Sequence, residues 1–74
     1  MNTSETIFNA ANYGKAIRKR RKELGYTQME GCEISGLSVS FLSDLENGKK
    51  TIELEKALLV ASLLGLDVEL KCRG

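Results

Sequence analysis

Apolar and polar positions along the chain fall into four segments of helical period, followed by one short segment of strand period. In the first, Tyr13, Ile17 and Leu24 share one face at helical spacing. Asn12 is a good N-cap and Gly25 a good C-terminal stop, so a first helix is expected between them. Arg21 lies on the same face, four residues after Ile17, and a charge pointing inward needs a partner. Arg18, Lys19 and Lys22 point outward. Residues 1–12, with only Ile7 and Phe8 as apolar anchors, are expected to form a flexible N-terminal arm.

The stretch from Thr27 to Asn47 predicts two short helices joined by a tight turn. Thr27 followed three residues later by Glu30 is a capping-box signature, which places Gln28 at the exposed start of a second helix. Ile34 is the clearest apolar anchor of that helix, Cys32 is small enough for a close helix crossing, and Gly36 ends it. Ser38 caps a third helix whose Leu42 and Leu45, with Leu37 just before the cap, face inward. Ser38, Val39, Ser40, Ser43 and Asp44 lie outward or along the flank, and Asn47-Gly48 stops the helix. Glu46, four residues after Leu42, borders the inward face and is the expected partner of Arg21 in a structural ion pair. Short helices around a glycine turn form a helix-turn-helix, which implies binding of duplex DNA.

A fourth helix is expected from Leu54 to Leu64, closed by Gly65. Leu54, Ala57, Leu58, Ala61 and Leu64 share one side, whereas Leu59 and Leu63 lie nearly opposite. A helix apolar all round must be covered on both sides, and a chain this small has little left to do it. Finally, Leu66-Asp67-Val68-Glu69-Leu70-Lys71-Cys72 alternates with the period of a half-buried strand. One strand alone leaves its backbone unpaired, so the expectation is pairing with its counterpart in a second copy across a two-fold axis. Leu59, Leu63, Leu66, Val68 and Leu70 are then the candidate dimer interface.

Composition narrows the function classes. Seventy-four residues allow one domain, near the lower limit for an independent core. The net charge is only +1, but Lys15, Arg18, Lys19, Arg20, Arg21 and Lys22 cluster within eight residues, and Lys49 and Lys50 add two more cations. Beside a helix-turn-helix, such clustering fits phosphate contact. There is no histidine, and Cys32 and Cys72 match no zinc pattern, so neither a metal nor a cofactor is expected. Without clustered carboxylates or a phosphate loop, nothing assembles a catalytic constellation, and no enzyme is expected. No secretory signal pattern is visible, and the longest apolar run is about half of what spans a bilayer. The expectation is a cytoplasmic protein with reduced thiols and no membrane partner.

The motifs Gly25-Tyr26-Thr27-Gln28, Ile34-Ser35-Gly36-Leu37-Ser38 and Phe41-Leu42-Ser43-Asp44-Leu45-Glu46-Asn47-Gly48 resemble the XRE/Cro-C1 family of helix-turn-helix repressors. The tail from Leu64 to Cys72 resembles, more narrowly, the HipB-type antitoxins of that family. The resemblance covers about Tyr13 to Cys72. It implies a mostly α, four- to five-helix, lambda-repressor-like domain at residues 13–65, and a short C-terminal β-strand at 66–74 that pairs across a homodimer. It further implies that Thr27 and Gln28 touch DNA at the start of the second helix, and that Ser38, Val39 and Ser40 enter the major groove, with Ser43 and Asp44 one turn on. By the same resemblance Asn47, Lys49 and Lys50 hold phosphates, and Arg21 and Glu46 match a buried ion pair. The implied partners are an inverted-repeat operator and a HipA-like kinase toxin, with the chain repressing its own operon.

Two departures from the family pattern change this picture. Gly31 stands where a large apolar residue is usual and Cys32 where alanine is usual, which weakens the second helix unless Met29 or Tyr26 fills the space. The reading face also lacks arginine, lysine, glutamine and asparagine before Asn47, so it has no bidentate reader of guanine or adenine. A free-standing regulator of phage or housekeeping type, and an interaction module that has lost DNA binding, are the alternative readings.

Overall fold

The computed structural model describes residues 5–73. It contains four helices: α1 (Ala10–Glu23), α2 (Gln28–Ser35), α3 (Val39–Glu46) and α4 (Leu54–Leu63). Residues 1–4, part of the expected arm, and Gly74 lie outside the described residues.

Three of the four helices start where a side chain captures an orphan amide; α4, with Glu53 at its N-cap, has no such bond. Asn9, not Asn12, caps α1: its side-chain oxygen accepts from the Asn12 N–H at 2.8 Å. Ala10, Ala11 and Asn12 are therefore helical rather than part of an arm. At α2 the capping box is complete, with Glu30 N–H donating to Thr27 Oγ1 at 3.1 Å and Thr27 N–H donating to Glu30 Oε1 at 2.9 Å. The Thr27 backbone N–H that donates to the carboxylate, with the Thr27 side chain second, pulls the Glu30 carboxyl below its ordinary range. Ser38 caps α3, accepting from Phe41 N–H at 3.0 Å. Between α2 and α3, Gly36 takes φ +72°, a left-handed conformation that costs glycine little. Ser35 Oγ donates to the Gly31 carbonyl at 2.8 Å and accepts from Leu37 N–H at 3.2 Å, which fixes the exit from the turn.

The core is Ile17 from α1, Cys32 from α2, Leu42 and Leu45 from α3, and Ala57, Val60 and Ala61 of α4 with Leu64 just beyond it. Tyr13, Tyr26, Leu37, Phe41, Ile52 and Leu66 pack around its edge. Helices α1 and α3 meet at Gly14, where a Cβ would overlap the Leu45 carbonyl oxygen and lie 2.8 Å from that of Glu46. Only a bare backbone permits that approach. The Tyr13 hydroxyl donates to the Ala57 carbonyl, joining α1 to α4, and burial pushes its phenol pKa up.

Several inward assignments are corrected. Leu24 is exposed because it is the C-cap of α1, in the turn that Gly25 completes. Ile34 is 43% exposed, since the buried side of α2 is set by Cys32 instead. On α4, Leu54 and Leu58 are also exposed. The buried stripe is Ala57, Val60, Ala61 and Leu64, the i, i+3, i+4, i+7 set, so Val60 takes an inward place that the pattern did not assign to it. Leu59 and Leu63 lie uncovered on the other flank. Residues 66–73 form no strand in the single chain, where no second strand is available to pair with.

Candidate nucleic-acid interface

The second helix of the motif can serve as a reading element only if its orientation is fixed. Three anchors fix α3. Leu42 and Leu45 are buried in the core. Arg21 of α1 grips Glu46 with two parallel hydrogen bonds, Nε to Oε2 at 2.8 Å and Nη2 to Oε1 at 3.0 Å. Arg21 Nη1 also donates to the Tyr26 carbonyl at 2.8 Å, so one guanidinium holds α1, the entry to α2, and α3 together. Bonding to Glu46 outweighs desolvation and holds Arg21 above the ordinary arginine range. The third anchor is Gly48, at φ +78°, where a Cβ would approach Ala11 Cα to 2.7 Å. Thus α1 seats against the C-terminal end of α3.

This leaves the opposite face of α3 open. Ser38, Val39 and Ser40 are exposed at its N-terminal end, and Ser43 and Asp44 are half-buried one turn on. Thr27 is exposed and Gln28 half-buried at the start of α2. Asn47, Lys49 and Lys50 are exposed beyond the end of α3. The Ser38 oxygen already accepts from the Phe41 amide, so its hydroxyl is left chiefly as a donor. Ser40 makes no side-chain hydrogen bond among the described residues.

The acid on this face does not stand alone. Lys49 Nζ lies 3.4 Å from Asp44 Oδ2, and both side chains are about half exposed. The pair partly cancels the repulsion that Asp44 would present to a phosphate, and it also occupies Lys49. Asn47 Nδ2 donates to Ser43 Oγ at 3.4 Å, a weak tether between two residues of the face. Lys50 has no ion-pair partner among the described residues.

The basic run on α1 divides in the same way. Arg21 is consumed by Glu46. Arg20 Nε donates to the Leu64 carbonyl at 2.9 Å, a cation at the C-terminal end of α4 where the helix dipole favours it. Lys19 pairs with Glu5 at 3.3 Å. Only Lys15, Arg18 and Lys22 lack an ion-pair partner among the described residues. Arg20 and Arg21 are therefore architecture, whereas Lys19 pairs only at the surface. The roles of Arg20 and Gly14 had no local signature, because both depend on a helix distant in sequence.

No group of histidine, cysteine or acidic side chains among the described residues could hold a metal ion. Cys32 and Cys72 are free. No helix there is long and apolar enough to cross a membrane.

Comparison with known proteins agrees with this geometry. The helix-turn-helix family model matches residues 17–71, covering all of α2, α3 and α4. An uncharacterized HTH-type transcriptional regulator of Sinorhizobium fredii, y4mF, is 32% identical over 71 residues, which cover 96% of this chain and 93% of that protein. The ImmF control region 10 kDa protein of Bacillus phage phi105 is 31% identical over 62 residues, covering 84% of this chain and 69% of that protein. Among solved structures, HipB in its O4 20mer complex superposes with a TM-score of 0.84 at 21% identity, over 96% of this chain and all of that one. A HipA-HipB-O2-O3 complex gives the same TM-score and identity. At that identity the likeness is one of fold. On the family match and its curated relative, the chain belongs to the XRE-type helix-turn-helix family of transcriptional regulators.

Proposed function

We propose that the protein is a homodimeric repressor that binds an inverted-repeat operator in duplex DNA and acts in the cytoplasm on its own operon. The observation that carries this reading is the contrast between the two sides of α3. One side is fixed by Leu42, Leu45 and the Arg21–Glu46 pair, and the other presents Ser38, Val39 and Ser40 to solvent.

In this mechanism the N-terminal end of α3 enters the major groove. Ser40 donates to or accepts from a base edge, and Val39 meets a thymine methyl. Ser43 and Asp44 reach the next base pair, where Asp44 accepts from a cytosine amine. Thr27 and Gln28, at the start of α2, and Asn47, Lys49 and Lys50, after α3, hold phosphates and set the register. A face of serines discriminates weakly, so spacing between half-sites and DNA shape carry much of the specificity.

The second copy is supported by surfaces that one chain leaves open. Leu59 and Leu63 are exposed on one flank of α4, and Val68 and fully exposed Leu70 follow in the C-terminal segment, with Leu66 half-buried at its start. Pairing of that segment with its counterpart would give its backbone partners and cover these side chains. The fold likeness to HipB supports the finer reading, an antitoxin that also binds a HipA-like kinase toxin. The phage relative supports a free-standing regulator of the same kind. The test is selection from a random duplex pool with the full-length protein, together with co-purification from the native host. An enriched inverted repeat with half-sites about one helical turn apart is expected. A co-purifying kinase separates the antitoxin from the free-standing regulator, and enrichment of no sequence would leave only the interaction-module reading.

A further inference from the structure

Helix α4 carries exposed apolar residues on two flanks separated by Glu55 and Ser62, and the proposed dimer uses only the Leu59 and Leu63 flank. The other flank borders a groove of about 430 Å³ between residues 7–10, the start of α1, the α3–α4 loop and the start of α4. Ile7, Phe8, Tyr13, Ile52 and Leu54 line it, and Lys49 and Lys50 stand on its wall. Phe8 is 82% exposed and Leu54 68%. Large apolar side chains so uncovered, around a concave surface, mark an interaction site.

We propose that this groove docks an acidic, leucine-rich segment of a partner protein, and that docking competes with DNA. Charge selects the occupant. Two copies of this chain meeting here would bring Lys49 and Lys50 against their own counterparts, whereas the glutamates of an acidic helix would complement them. Three acids flanking Lys49 and Lys50 are already engaged, Glu46 by Arg21 at 2.8 Å, Asp44 by Lys49 at 3.4 Å and Glu53 by Lys56 at 3.1 Å, so Lys50 remains for an incoming carboxylate. An amphipathic helix laid in such a groove buries leucines at helical spacing against Phe8, Ile52 and Leu54. Its acids would take Lys50 from the DNA phosphates and, with Asp44 already on Lys49, weaken the hold of this loop on DNA. This competition rests on the phosphate role proposed above; the docking itself does not.

The test uses the isotope-labelled full chain and two short capped peptides with leucines at helical spacing, one carrying glutamates between them and the other lysines. The glutamate peptide should shift the amides of Ile7, Phe8, Ile52 and Leu54 and leave those of Leu59 and Leu63 in place. Phe8→Ala should weaken this binding by about tenfold or more, a typical anchor effect, and leave operator affinity unchanged. Leu54→Ala, at an exposed first-turn position that tolerates a small residue, should do the same. Equal binding of the lysine peptide, shifts centred on Leu59 and Leu63, or indifference to both substitutions would overturn the site. Added to the protein–operator complex, the glutamate peptide should release the DNA from the wild type and fail to do so from Phe8→Ala. Retention of DNA by a wild type whose groove is saturated would overturn the competition. Failure of the protein to bind any duplex would instead overturn the function proposed above, with the peptide titration still deciding the groove.

Discussion

Arg21 and Glu46, 25 residues apart in sequence, are joined by two hydrogen bonds of 2.8 and 3.0 Å, with their side chains 10% and 5% exposed. Both carboxylate oxygens are used, and the remaining guanidinium contact goes to the Tyr26 carbonyl. No buried side-chain polar atom among the described residues lacks a partner. Such a pair adds little net stability over an apolar pair of the same shape, but each member is costly to remove alone. Its role here is orientation, since it fixes the rotation of α3 and so decides which side chains face outward.

Arg21→Ala should therefore destabilise the protein by about 3–5 kcal/mol, because Glu46 is left buried without its counter-charge. Replacing both residues by apolar ones should recover much of that loss. Chemical denaturation of the two variants beside the wild type measures it, and an Arg21→Ala midpoint equal to wild type would contradict the burial.

Two glycines within helices should respond with opposite sign to the same substitution. Gly14→Ala drives a Cβ into the carbonyls of Leu45 and Glu46 and should cost about 1–3 kcal/mol or more by forcing α1 from α3. Gly31→Ala meets only Arg21 Cδ and Leu42 Cδ1, both at 3.5 Å, an ordinary contact. It should stabilise by about 0.5–1 kcal/mol through helix propensity. Thermal melts of the two variants check the contrast, which disappears if helix propensity alone governs both positions.

How much of this was legible follows from the range of each interaction. The capping box at Thr27, the cap at Ser38 and the left-handed Gly36 were readable because all their partners lie within a few residues. The Arg21–Glu46 pair was readable because each charge sat on an otherwise apolar face. Gly14 and Arg20 were not, since one needs the end of α3 and the other the end of α4 to explain it. The rotation of α4 was hidden for another reason: a helix with leucines around most of its circumference has no single apolar stripe, and only its packing selects Val60 over Leu54 and Leu58. Asn9 and Asn12 are both good caps, and periodicity could not choose between them. At the candidate interface the outward positions of α3 were legible, but the tie between Asp44 and Lys49 was not.

That tie makes a prediction of its own. Asp44→Asn should release Lys49 and remove a negative charge from the face, tightening DNA binding several-fold and steepening its salt dependence. Lys49→Ala should flatten the salt dependence with little change in base preference, whereas Ser40→Ala should relax base preference. Binding isotherms on the operator and on single-base variants of it compare the three, and equal effects of Ser40→Ala and Lys49→Ala on both readouts would contradict the assignment.

Acid should loosen α2 in a defined way. Bonding within the capping box holds the Glu30 carboxyl below its ordinary value of about 4.3. A lowered folded pKa means that its contribution is present above the unfolded value and is lost as pH falls through the folded one. Amide exchange in the first turn of α2, relative to the intrinsic rate at the same pH, should accelerate below about pH 4.3 in the wild type. In Glu30→Ala it should be fast already at neutral pH; a wild-type profile unchanged by that substitution would exclude the box as the cause.

Truncation after Leu66 removes Val68 and Leu70 and with them the proposed pairing segment. The shortened chain should be monomeric by light scattering, fold as before, and bind the operator far more weakly. A truncated chain that remains dimeric would refute pairing through this segment.

The most direct test of the central claim, that α3 reads DNA between phosphate-holding flanks, is a titration of the full-length protein against its selected duplex and a scrambled one across a range of salt concentrations. A steep linear fall of log affinity with log salt is expected for both duplexes, with the selected duplex tighter throughout. Affinity independent of salt, or equal for the two sequences, would contradict it.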